Sequence, residues 1–334
     1  MRHSAKRYLR RIRDAFLTHS AMARTGANKA RHQHLDPVSR LKNNDVFISP
    51  CSRKQDRLAV TTINTTLFKT LLNFAHELAE QSGPVVLKHF RKRIAVENKQ
   101  KDGGGFDPVT DADRGAEKAI ARLLRQRYPE HGLIGEEYGN HQHDAPLRWV
   151  IDPIDGTRSY ITGSPLWGTL IGLMQGDTPL LGLMDQPHTG ERFWSDRTTA
   201  YWRDANGKVT RLKTRTCPSI QEAVLTTTHP DLLTKSELKA FMRVKDKARM
   251  TRYGGDCYLY AQLASGWIDI VMEAGLKSYD IVALIPIVER AGGRITTWDG
   301  RPAINGGQIL ATGDPDLHEK VLAMLQAKAE RSHP

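Results

Sequence analysis

From about residue 62 onward, the apolar positions of the chain fall into regular periods. Leu67, Leu71, Leu72, Ala75, Leu78 and Ala79 recur at helical spacing, and a second segment follows through Val85, Val86, Leu87 and Phe90. Residues 113–127 place Ala116, Ala119, Ile120, Leu123 and Leu124 on one helical face. Between these helices, 99–105 is polar and glycine-rich, which predicts a loop or hairpin tip. Short apolar runs at 133–134, 148–151, 169–174 and 180–184 predict strands, with Gly-Asp-Thr-Pro at 176–179 turning between the last two. A polar stretch at 203–220 precedes a helix near 258–265, a strand at 268–273 and a helix at 281–291. Strands near 294–298 and 308–311 and a closing helix at 316–329 complete the pattern. Helices and strands interleave without a strict βαβ rhythm, so the expected class is α+β in layers, with two lobes at 61–200 and 201–334.

Residues 1–60 show no sustained period. They hold 14 Lys/Arg against four acids, which gives +10 of the total +12, so the remaining chain is close to neutral. The basic character therefore belongs to an N-terminal extension and not to the folded body. Three readings of that extension compete: a disordered tail, an Arg-rich organelle-targeting peptide, and an over-long start. The expected location is the cytoplasm, with organelle targeting left open by the extension. No apolar run approaches the roughly 20 residues that span a bilayer, so no membrane partner is expected. Basic residues without interleaved aromatics argue against a nucleic-acid arm. Three cysteines (Cys51, Cys217, Cys257) without CxxC spacing argue against a disulfide framework or zinc site.

The chemistry concentrates where apolar runs give way to turns. Trp149-Val-Ile-Asp-Pro-Ile-Asp-Gly-Thr157 ends a strand on two aspartates, Asp152 and Asp155, followed by Gly156 and Thr157. Carboxylates there can converge on hard cations, and the backbone N–H groups behind them can take an anion. Asp113, the Glu136–Glu137 pair and Asp280 occupy similar element ends. Taken singly, Asp113 and Asp280 also read as helix caps worth about 1 kcal/mol, and Asp152-Pro153 as a turn. Together they supply what a cation cluster requires.

The set Asp107-Pro-Val-Thr-Asp-Ala-Asp113, Gly135-Glu136-Glu137, the 149–157 segment and Tyr279-Asp280-Ile281-Val282-Ala283 resembles the inositol monophosphatase family of Mg²⁺-dependent phosphatases. The resemblance covers about residues 65–330. Its last motif departs from the usual Trp-Asp-x-Ala-Ala, with Tyr279 for Trp and Val282-Ala283 for the final part. The resemblance implies a layered αβαβα sandwich whose second lobe completes the metal and substrate site. Glu136, Asp152 and the Ile154 carbonyl would hold one Mg²⁺, and Asp152, Asp155 and Asp280 a second, with two or three ions in all. Gly156 and Thr157 amides would bind phosphate. Asp113 and Thr157 would orient the attacking water, Glu137 would support the metal shell, and either Lys99 or Lys101 would join the site. A homodimer is also implied.

Substrate choice rests on other residues. The segments 167–173, Asp185-Gln186-Pro187 with Gly190-Glu191-Arg192, 252–258 and 273–280 look like the histidinol-phosphatase branch. In that reading Asp256 and Glu273 would face the cationic amine and imidazole of histidinol phosphate, in histidine biosynthesis. Asp256 also reads as the N-cap of the following helix. Alternatives within the fold are inositol 1-phosphate, a fructose bisphosphate and a 3′-phosphorylated adenosine nucleotide. A non-catalytic nucleic-acid-associated protein using the basic arm is the alternative of a different class. His141 and His143 read as a solvated loop, Cys257 as a small buried residue, and Trp194 and Trp202 as packing residues.

Overall fold

The computed structural model describes residues 63–99 and 108–326. The basic extension at 1–60, Asp107, Lys101 and the last residues of the predicted closing helix lie outside the described residues.

Two sheets dominate. The larger has eight strands: β3 (Gly132–Gly135), β4 (Gly139–His141), β5 (Leu147–Asp155), β6 (Gly168–Gln175), β7 (Thr178–Gln186), β8 (Glu191–Ser195), β9 (Ala200–Arg203) and β10 (Val209–Arg211). Their order is β10-β9-β8-β7-β6-β5-β3-β4, antiparallel except where β3 runs parallel to β5. The smaller sheet has five: β11 (Val224–Thr227), β12 (Met250–Tyr253), β13 (Ile270–Leu276), β14 (Arg294–Thr297) and β15 (Gly307–Thr312), in the order β12-β11-β13-β15-β14. A two-stranded ribbon, β1 (Val96–Asn98) with β2 (Pro108–Thr110), leads into the helix Asp111–Arg127.

Three hydrophobic clusters account for the stacking. Phe74, Leu78, Ile120 and Leu124 from the helices Thr65–His89 and Asp111–Arg127 pack on Trp149, Ile171 and Leu183 of the larger sheet. Leu259 and Leu263 of the helix Cys257–Ala264, with Leu284, Ile287 and Val288 of Leu284–Arg290, fill the layer between the sheets. Phe241, Val244, Leu317 and Val321 cover the far face of the smaller sheet from Lys235–Lys245 and Pro315–Gln326. The result is an αβαβα sandwich, as the resemblance implies. Each fully buried large apolar side chain contributes about 1.5–3 kcal/mol, so these three interfaces hold the layers together.

The elements differ from expectation in instructive places. The two segments predicted before residue 91 form one helix, Thr65–His89, with Pro84 inside it. The single helix predicted at 281–291 is broken into Ser278–Ile281 and Leu284–Arg290. The strand predicted at 268–273 runs from Ile270 to Leu276. Trp194 stacks on Tyr201 and Trp202 on Phe193, as packing residues do.

Candidate active site

A strand has a side-chain period of two, so residues three apart should face opposite sides of a sheet. Asp152 and Asp155 avoid that. Their pairing with β6 shifts register between Asp152, opposite Leu170, and Asp155, opposite Gly168. Pro153 lies inside the irregular stretch, where it has no N–H to withhold from the ladder, and its carbonyl accepts from Thr169 Oγ1 at 2.8 Å. The displaced residue turns both carboxylates toward one place. Asp280 reaches the same place from the start of Ser278–Ile281, and ligand oxygens of the three lie within 4.8 Å of one another.

Glu136 joins electrostatically from the turn after β3, its carboxylate acting on both Asp152 and Asp280. Burial first, and the neighbouring Glu136, Asp155 and Asp280 next, push Asp152 well above the usual carboxylate range. Burial pushes Asp280 up to about 7. Asp155 is raised by burial and by Asp256 and Asp280, while the Cys257 side chain opposes this; the Cys257 N–H also donates to Asp155 Oδ2 at 2.7 Å. A buried, all-oxygen cluster with this much uncompensated repulsion fits hard divalent cations. The Ile154 carbonyl accepts from Thr157 Oγ1 at 3.1 Å, and the Ile154 N–H donates to Asp152 Oδ1 at 2.9 Å.

Lys99 supplies a cation on the Glu136 side. Its Nζ donates to Glu136 Oε1 at 2.7 Å and to Glu137 Oε1 at 2.6 Å. Burial lowers the Lys99 ammonium, but the two glutamates outweigh this and hold it above its ordinary value. Burial raises Glu137 despite that bond. Lys101, the other expected lysine, lies outside the described residues.

Asp113 is a buried residue in the first turn of Asp111–Arg127. Its Oδ2 accepts from the Thr110 N–H at 2.9 Å and from Thr110 Oγ1 at 2.6 Å, a reciprocal cap that fixes the carboxyl plane. Its Oδ1 is buried without a partner among the described residues. Burial, only partly opposed by Thr110, raises the group to about 7.

Gly156 is the N-cap of the short helix Thr157–Ile161, with φ of 86°. A Cβ there would lie 2.9 Å from Asp256 Cγ, so both conformation and space require glycine. Asp256 itself occupies the N-cap position of Cys257–Ala264, yet its side chain does not cap that helix; it accepts from Ser159 Oγ at 2.7 Å. Glu273 is buried and accepts from the Thr228 N–H at 3.2 Å, from the Thr228 hydroxyl, and from Tyr260 Oη at 2.9 Å. Asp155, Asp256, Glu273 and Asp280 line one cavity of about 90 Å³ with Thr228, His229 and Leu233. The two expected leaving-group residues thus share a chamber with two of the expected metal ligands.

Ser159, Thr228 and Tyr260 were not singled out from the sequence, because each acts by holding a carboxylate well separated in the chain, whereas Thr110 holds Asp113 within one motif. Cys257 is buried, as expected. His141 and His143 are exposed and do not converge with the carboxylates. Among the described residues, no helix is long and apolar enough to cross a membrane.

A sequence profile described as the inositol monophosphatase family matches residues 68–330. The chain belongs to the inositol monophosphatase family. It is similar to the chloroplastic bifunctional phosphatase IMPL2 of Arabidopsis thaliana, with 42% identity over 265 residues covering 75% of this chain and 73% of the relative. A histidinol-phosphatase of Chlorobaculum parvum is 33% identical over 255 residues, covering 76% of this chain and 96% of its own. Among solved structures, an inositol monophosphatase from Zymomonas mobilis aligns with a TM-score of 0.69 at 39% identity, covering 78% of this chain and 99% of that one. The chain is thus a phosphatase of the inositol monophosphatase family.

Proposed function

We propose that this phosphatase is Mg²⁺-dependent and hydrolyses L-histidinol phosphate to L-histidinol and phosphate. The observation that carries the choice of ester is the chamber in which Asp256 and Glu273 join Asp155 and Asp280. With the metal-side carboxylates neutralised by cations, Asp256 and Glu273 leave net negative charge facing the leaving group. An ammonium-bearing alcohol suits that wall better than a neutral polyol. The similarity to the Chlorobaculum parvum histidinol-phosphatase supports the same ester.

In this reading Glu136, Asp152, the Ile154 carbonyl, Asp155 and Asp280 hold the ions. Bound divalent cations neutralise phosphate charge and lower the pKa of water. The N–H groups of Gly156 and Thr157 orient the phosphate. Asp113 Oδ1 accepts a proton from the attacking water, while Thr110 keeps the other oxygen occupied. A carboxyl near 7 is matched to that task at neutral pH. Lys99 restrains Glu136 and Glu137 from the opposite side.

Hydrolysis of inositol 1-phosphate is the second reading, favoured by the likeness to the Zymomonas mobilis inositol monophosphatase. The metal requirement common to both is tested by stripping the purified protein with EDTA. Phosphate release from histidinol phosphate should stop and return on adding Mg²⁺. Release that persists in excess EDTA contradicts the proposal.

A further inference from the structure

The turn that carries Glu136 and Glu137 is held from below by a residue remote from the reacting groups. Glu117 lies on the helix Asp111–Arg127 within its buried stripe, between Ala116 and Ile120, and is fully buried. Its Oε2 accepts from the Glu137 N–H at 2.8 Å, and its Oε1 accepts from the Tyr138 N–H at 3.0 Å. A carboxylate placed in an apolar stripe is costly unless its hydrogen bonds are made. An apolar side chain would fill the same volume without that penalty. The carboxylate instead takes two successive backbone donors of one turn. Directly beneath that turn, a Cβ built on Gly135 would lie 2.0 Å from Glu117 Oε1. Gly135 does not have the left-handed backbone that favours glycine, so the close approach of Glu117 is what its missing side chain permits. From the other side Lys99 bonds both Glu136 and Glu137.

We infer that Glu117 is a positioning residue. By fixing the N–H groups of Glu137 and Tyr138, it sets where Glu136 presents its carboxylate to Asp152, and so tunes cation affinity without touching cation or substrate. The inference rests on the proposed role of Glu136 as a metal ligand. Outer residues that orient metal ligands commonly change affinity by about 10- to 100-fold when removed.

The test uses the metal-free full-length protein and Mn²⁺, which shares the oxygen-ligand preference of Mg²⁺ and whose free-ion paramagnetic resonance signal reports binding directly. Glu117→Gln, Gly135→Ala, their double variant and Glu136→Gln are compared with wild type, together with metal-free melting temperature. Glu117→Gln keeps the side-chain volume but brings an NH₂ group against a backbone N–H. Gly135→Ala displaces the carboxylate while leaving it chemically intact. Each is expected to weaken Mn²⁺ binding by about 10- to 100-fold. The double variant should lose little more than the worse single one, because both act through one contact. Wild-type Mn²⁺ affinity in Glu117→Gln and Gly135→Ala, alongside weakened affinity in Glu136→Gln, overturns the inference and spares the metal-ligand reading. Wild-type affinity in Glu136→Gln removes that reading and the inference with it. A fall in melting temperature without a change in affinity assigns Glu117 to folding alone and likewise overturns the inference.

Discussion

The backbone N–H of Cys257 donates to Asp155 Oδ2 over 2.7 Å. This bond joins the strand-end motif of the larger sheet to the first residue of the helix Cys257–Ala264. The preceding residue, Asp256, returns the connection through Ser159. The cation side and the leaving-group side of the chamber are therefore built on one another, and substitutions on either side can be chosen to separate them.

Asp256→Asn is the selective probe of the leaving-group side. Asparagine matches aspartate in size and shape at this position, where φ is 46°, and can still accept from Ser159. It removes the charge and little else. A hydrogen bond to a charged group is worth about 1.5–3 kcal/mol, so kcat/KM for histidinol phosphate should fall by roughly 10- to 100-fold. The value for inositol 1-phosphate should change far less. Steady-state kinetics on both esters measures the difference, and equal losses would remove Asp256 from substrate selection.

Gly156→Ala should damage both stability and turnover. The left-handed conformation costs a non-glycine residue about 1–2 kcal/mol, and the added methyl meets Asp256. Urea denaturation should show a loss of at least that size. Phosphate release should fall in parallel, because the Asp256 side chain must shift. A variant with wild-type stability and turnover would contradict this account of the turn.

Asp152→Asn should act in opposite directions on stability and activity. Asparagine removes the cost of holding a buried carboxyl among Glu136, Asp155 and Asp280, so at neutral pH the metal-free variant should melt higher than metal-free wild type. Ions that bind only the folded state raise its stability by mass action. Mg²⁺ should therefore raise the wild-type melting temperature strongly and that of the variant little, and the variant should release no phosphate. Scanning fluorimetry with Mg²⁺ or EDTA, together with a phosphate assay, checks all three.

The raised carboxyls also predict how stability depends on pH without metal. Asp113 and Asp280 lie at about 7 when folded, against an ordinary value of 3.8. Burial is the leading cause for both. A carboxyl with a higher folded value binds its proton more tightly in the native state. Its stabilising effect is complete at low pH and is lost as pH rises from about 4 to about 7, at up to about 1.4 kcal/mol per pH unit for each group. In EDTA, the stability of wild type should fall over this window relative to an Asp113→Asn/Asp280→Asn variant, and the difference should stay constant above about 7. Mg²⁺ affinity should rise over the same window, since the ligands must be deprotonated. Parallel stability profiles for the two proteins would contradict the assigned protonation states.

Much of this site was legible in the chain because its carboxylates lie at element ends, where an apolar run stops on an acid. Asp152, Asp155, Asp113 and Asp280 all have that form, and the family motifs order them. What periodicity could not express is the register shift at Pro153, which turns Asp152 and Asp155 to the same side; an unbroken strand would have separated them. Nor could it show the partners of the charges. Glu117 does carry a local sign, an acid within the buried stripe four residues after Asp113. Thr228 and Tyr260, which hold Glu273, carry none, since a threonine or tyrosine in a strand end or helix is ordinary. In the fold, short edge strands such as β4, β10 and β12 escaped prediction because three or four mostly exposed residues leave no hydrophobic period. The helix Lys235–Lys245 was missed because its apolar face is confined to a few positions such as Phe241 and Val244.

The central claim concerns which ester this chamber accepts. The most direct measurement is the ratio of kcat/KM for L-histidinol phosphate to that for inositol 1-phosphate, with the purified full-length protein in Mg²⁺. The charge placed at Asp256 and Glu273 predicts a ratio well above one, on the order of 10 or more if a single charged contact is made. A ratio below one would contradict the histidinol-phosphate assignment.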